Sequence, residues 1–151
     1  MFLLDARDDF EAALLQNWVE SGKPADASRS RYSFVELPRD RADDWLAALP
    51  QQEADVWLQP LRIAWLPAAS GRRDRPLLDF FHGRMAEPGR ARRRGLARHR
   101  PERLARIAGD GAWLSELRER QVEAAIDDDA FAEFAANQAL IALERAERIV
   151  R

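Results

Sequence analysis

The chain has 151 residues, 46% of them apolar and 33% charged, with a net charge of −2 and no cysteine. That is enough chain to bury one core, and the composition argues against disorder and excludes disulfide and thiolate chemistry. The N-terminus MFLLDARDD carries acid where a secretion signal would carry base, and the longest apolar stretch, LRIAWLPAA, is interrupted by Arg62 and too short for a membrane span.

Phe2–Ala6 (FLLDA) reads as a short buried strand. In DDFEAALLQNWVES, Phe10, Leu14 and Trp18 recur every fourth residue, which predicts a helix with that row along one face. Asp8 and Asp9 lie at its expected start, where the helix dipole favours acid. GKPADASRS reads as a loop, YSFVEL (Tyr32–Leu37) as a strand closed by Pro38, and DRADDWLAAL as a second short helix. ADVWLQPLRIAWLP is the clearest strand region. Pro60 lies inside it, which predicts an edge position or a bulge, because proline cannot donate to a ladder.

Residues 68–101 show no sustained period and read as a long, mostly irregular Arg-rich insertion, with a helical turn at LLDFF. ERLARIAG (Glu102–Gly109) reads as a further strand. DGAWLSELRERQ opens a helix with Asp110 as its expected N-cap. From Asp127 onward a long helix is predicted, led by three aspartates, with Phe131, Ala135, Ala139, Ala142, Ala146 and Ile149 near one face. Strands alternating with helices through long crossovers imply an α/β fold. The expectation is a small layered domain with a mostly parallel sheet of about four strands. Residues 1–126 form that domain, and 127–151 form an amphipathic helix leading out of it. No Gly, Asn or Pro follows Asn137 to stop this helix, so the chain is expected to continue in a larger protein.

Charge is unevenly placed. The net is −6 over residues 1–59, +9 over 60–108 and −5 over 109–151. Arg90, Arg92, Arg93, Arg94, Arg98 and Arg100 concentrate the positive charge. Clustered arginines gain roughly 1 kcal/mol each near an anionic lipid surface, so these six are the candidate lipid-binding residues. The alternative is a solvated segment pairing with the acidic flanks. No aromatic residue interleaves with the arginines, and overall acidity further weakens the case for nucleic acid.

Motifs for chemistry are sparse. His82 and His99 are the two imidazoles, with no cysteine and no HExxH, so no metal site is assigned. The acidic triplet Asp127–Asp129 reads as a helix start rather than a cation site. Neither GxGxxG, a P-loop nor GxSxG occurs. His82 and Glu87 have the separation of a His–acid pair, but the acid is Glu where acyltransferases of glycerol phosphates carry Asp, and no catalytic role is assigned. No cofactor is implied.

Three stretches, taken in series, resemble the N-terminal region of bacterial membrane-associated glycerol-3-phosphate acyltransferases. PLRIAWLP (Pro60–Pro67) is similar to a strand of that family. RPERLARIAGDGAWLSELRERQ is similar to its Arg-rich loop, short strand and following SELR helix. FAEFAANQALIALERAERIVR is similar to its F-x-x-F-x-x-x-x-A-L-x-A-L-x-R-A-E helix. The resemblance implies a non-catalytic domain preceding the acyltransferase domain, whose His-x4-Asp would lie downstream. The parent would transfer an acyl chain from acyl-CoA or acyl-carrier protein to the sn-1 hydroxyl of glycerol 3-phosphate, at the cytoplasmic face of the membrane. The implied partners are the catalytic domain of the same polypeptide and an anionic membrane surface. A competing expectation is a free-standing α/β interaction module.

Overall fold

A computed structural model describes residues 1–22, 33–37, 55–66 and 88–150. The chain divides into two compact units, one of Met1–Ile63 with Arg106–Arg151 and the other of Ala64–Ala105.

The larger unit begins with β1 (Phe2–Asp5), whose two central leucines, Leu3 and Leu4, are both buried. Successive side chains of a strand point to opposite faces, so burial of both means that the strand is covered on both sides. Helix α1 (Asp9–Ser21) follows and packs against β1. Asp8 is its N-cap and accepts a hydrogen bond from Glu11 N–H, while the Glu11 carboxylate accepts from Arg7 N–H. This reciprocal arrangement satisfies donors that a helix start leaves over. The row of Phe10, Leu14 and Trp18 lies along one face and is half-buried. The deepest residues are Glu11, Ala12 and Leu15. The helix is rotated so that its capping glutamate, tied to backbone, goes under cover in place of the bulky row.

Strand β2 (Phe34–Glu36) pairs in parallel with β1, and Phe2 stacks on its partner Phe34. Strand β3 (Trp57–Trp65) pairs in parallel with the other edge of β1, with Leu3 opposite Pro60 and Leu4 opposite Leu61. Strands β4 (Leu104–Ala108) and β5 (Ala112–Trp113) both lie on the far side of β3, so the sheet order is β2-β1-β3-β4 with β5 beside β3. The fold is therefore α/β with a mostly parallel five-stranded sheet, three of whose strands share one direction. The fifth strand, β5, was not expected from the sequence. It runs antiparallel to β3. So does β4, because Gly109 N–H bonds Pro60 O while Leu66 N–H bonds Arg103 O. The long connection from β3 to β4 thus does not bring the chain back parallel.

Pro60 is not at a sheet edge. It marks the bulge that the sequence offered as the other choice. Gly109 faces Pro60, but Ala112 faces Leu58, so the register steps by one residue there. A regular antiparallel pair would have Pro60 donate to Gly109 O. Proline has no N–H, and the side-chain amide of Gln59 donates to Gly109 O instead.

Helix α2 (Arg90–His99) lies within the segment expected to be irregular. Arginine, alanine and leucine are good helix formers, and they outweigh the missing apolar period. A 3-10 turn (Pro101–Arg103) then leads to β4, and the Arg103 side chain also donates to Leu66 O.

Helix α3 (Leu114–Glu123) starts three residues later than the Asp110 cap would place it. Pairing of Ala112 and Trp113 with β3 holds the intervening chain extended. The cap comes from Asp55, whose carboxylate accepts from both the N–H and the hydroxyl of Ser115. Those donors hold Asp55 below the usual carboxylate range, the Ser115 hydroxyl contributing most. Glu116 accepts from Trp113 N–H.

After a 3-10 turn at Asp128–Ala130, helix α4 (Phe131–Val150) closes the unit. Its buried stripe is Phe131, Ala132, Ala135, Ala136, Ala139 and Leu143. The predicted stripe drifts off this one towards its end, where Ala142 and Ala146 are half-buried and Ile149 is 87% exposed. Phe131, Ala135, Ala136 and Ala139 share one core cluster with Leu3, Leu37, Leu58 and Leu117. The Arg118 guanidinium lies 3.5 Å above the centre of the Phe131 ring. Asp128 accepts from the buried Gln121 amide and pairs with Arg118, a structural use of the acidic triplet. The loop GKPADASRS, the helix expected at DRADDWLAAL, the turn at LLDFF and the His82–Glu87 pair lie outside the described residues.

Candidate functional site

Two features of the described residues carry chemistry beyond packing. In the smaller unit this is α2. Arg90, Arg94 and Arg98 follow one another at four-residue spacing, which sets them in one row along the helix. All three are exposed, as are Arg92 and Arg100, and Arg100 pairs loosely with Glu102 at 3.7 Å. Arg93 is only 8% exposed, whereas the other five side chains reach the surface. The first turn holds no acid, so its arginines face the positive end of the helix dipole. His99 is exposed in the last turn.

In the larger unit a cavity of about 200 Å³ opens between β3, the Asp110–Ala112 loop, α3 and α4. Its walls include Leu3, Leu58, Ala135 and Ala139, and Asp110, Arg120, Gln138 and Arg145 supply its polar groups. The glycines of the loop make the approach close. A Cβ on Gly109 would lie 2.9 Å from the backbone of Ala142 and Leu143, and one on Gly111 would lie 2.4 Å from the Trp57 ring. Trp57 in turn meets Trp113 edge-to-face at 5.3 Å, and both remain about two-fifths exposed, at 41% and 42%.

Elsewhere in the larger unit, Arg62 ties three elements together. Its guanidinium bonds Asp5 at 2.6 Å and Glu147 at 3.0 Å, joining β3 to β1 and to α4. Burial works against the charge, but the two carboxylates outweigh it and hold the Arg62 pKa above its ordinary value. The sequence signal was present, since a lone arginine interrupting LRIAWLP needs carboxylate partners if that strand is interior. Arg120 and Arg145 gave no signal, because nothing in the sequence says that residues 25 positions apart on two helices share a cavity.

Among the described residues, no group of three His, Asp or Glu side chains could hold a metal ion. No helix among them is long and apolar enough to cross a membrane. The chain matches no family model and no solved structure.

Proposed function

We propose that this chain is the non-catalytic N-terminal domain of a glycerol-3-phosphate 1-O-acyltransferase, supporting the catalytic domain and lying peripherally on the cytoplasmic face of the membrane. The observation that supports the reading best is the Arg62 cluster. Arg62 belongs to PLRIAWLP and Glu147 to ALERAERIVR, two of the three stretches that carry the resemblance, and they meet in one ion cluster. The third stretch supplies Gly109, which packs on the backbone of α4. The residues behind the resemblance are thus the ones that build the fold, which suits a domain whose role is to support. The arginines of α2 supply positive charge for anionic headgroups.

In this reading the acyl transfer is performed by a His-x4-Asp outside the chain, the histidine deprotonating the sn-1 hydroxyl. Residues 1–151 hold the platform. The test is an acyl-transfer assay on the product of the whole reading frame, using glycerol 3-phosphate with acyl-CoA or acyl-carrier protein. Lysophosphatidic acid should form, and the 1–151 fragment alone should form none. A whole product that forms none at any donor overturns the proposal.

The second reading, a free-standing interaction module for a protein partner, draws on the Trp57–Trp113 pair. Two half-exposed tryptophans in edge-to-face contact are the residue type that anchors protein interfaces.

A further inference from the structure

We infer that the cavity between β3, α3 and α4 binds a small anionic amphiphile, a short apolar chain ending in a carboxylate or phosphate. This goes beyond the acyltransferase reading and does not depend on it.

The cavity has the two halves that such a ligand needs. One part of its lining is apolar, with Leu3, Leu58, Leu117 and the alanine row Ala135, Ala139 and Ala142. Its polar groups include two guanidiniums, Arg120 from α3 and Arg145 from α4, with Asp110 the single acid in the lining, so the charge of the lining is +1. Neither Arg120 nor Arg145 makes an ion pair among the described residues. Guanidiniums bind carboxylate and phosphate oxygens through paired donors. The α4 lining runs from Ala135 to Arg145, a rise of roughly 15 Å along the helix, so the space suits a linear rather than a disc-shaped ligand. A cavity of roughly 150 Å³ holds benzene. One of about 200 Å³ therefore takes a ligand only a few heavy atoms larger.

The experiment is a titration of the folded chain with butanoate, hexanoate, octanoate, hexyl phosphate and hexanol, followed by backbone amide shifts. Hexanoate is expected to move the amides of Gly111, Ala112, Ala139 and Ala142 saturably. Each added methylene should tighten binding about fourfold until the cavity is full. Hexanol should bind at least tenfold more weakly. The double variant Arg120→Met/Arg145→Met should lose at least tenfold for hexanoate while keeping the affinity for hexanol. Asp110→Asn should tighten hexanoate. Hexyl phosphate tighter than hexanoate would identify a phosphate ester as the natural head, and the reverse order a carboxylate. Both exposed arginines can be replaced without touching the core. The control for folding is an unchanged amide spectrum away from the cavity. The proposal is overturned if no anion shifts these amides, if hexanol binds as tightly as hexanoate, or if the double variant binds hexanoate unchanged.

Discussion

Replacing Gly109 and Gly111 by alanine, one at a time, separates two kinds of close packing. Neither glycine has a backbone conformation that alanine would resist, so any loss is steric. At Gly109 the added methyl would meet Ala142 C and Leu143 N at 2.9 Å, which are backbone atoms in the middle of α4. A helix backbone cannot yield locally, so the loop or the whole helix must shift. Overpacking of this kind costs typically 1–3 kcal/mol, and with backbone as the neighbour we expect about 2–3 kcal/mol. At Gly111 the clash is shorter, 2.4 Å, but the atom belongs to the side chain of Trp57, which is 41% exposed and can rotate at the expense of its contacts with Trp113 and Gln59. There the loss should stay under about 1 kcal/mol. Urea denaturation followed by circular dichroism would give both values, provided the slope is unchanged. If Gly109→Ala unfolds within about 0.5 kcal/mol of the parent, or if Gly111→Ala loses as much as Gly109→Ala, the close approach of the loop to α4 is wrong.

Arg62→Met should destabilise the fold by about 1–3 kcal/mol, below the full loss for a buried pair because the cluster is only partly shielded from water; denaturation midpoints measure it, and a neutral result removes the cluster as a lock. Gln59→Leu should leave Gly109 O without its donor and lose about 1–2 kcal/mol, whereas an unchanged midpoint would mean that the amide does not replace the missing Pro60 N–H. Asp55 has a depressed folded pKa, so its contribution is present above the unfolded value near 3.8 and is lost as pH falls through the lower folded value. Ser115→Ala should raise the Asp55 pKa in a carbon-detected titration and move that loss to higher pH, and a pKa that does not move would refute the cap. On anionic vesicles at low salt, Arg92→Glu/Arg98→Glu should weaken binding at least tenfold, from roughly 1 kcal/mol per arginine. Equal binding of the parent to anionic and neutral vesicles would exclude lipid contact by α2.

Much of the architecture follows from local pattern. The strands at Phe2–Asp5, Phe34–Glu36 and Trp57–Trp65 stand where β-rich runs end in charge or proline, and α1, α3 and α4 stand where apolar residues keep a helical period. What escaped was non-local. Whether Pro60 lay at an edge or a bulge depended on Gly109 coming to face it, some fifty positions on. The α3 cap depended on Asp55, sixty positions before Ser115. The direction of β4 depends on how the chain returns, which no local period encodes. Helix α2 was missed for the opposite reason, because its propensity is high while its apolar period is absent. Of the six candidate arginines, the sequence could not single out Arg93 as the buried one, since neighbouring arginines look alike until a helix gives them faces. The cavity was illegible because its lining comes from five separate stretches of the chain.

The most direct measurement for the proposed identity is the coding sequence beyond the codon for Arg151. An open frame that reaches a His-x4-Asp motif after further helical sequence is the expected result. A frame that stops at once, or one that continues as a complete protein without His-x4-Asp, would contradict it and leave the interaction module as the better reading.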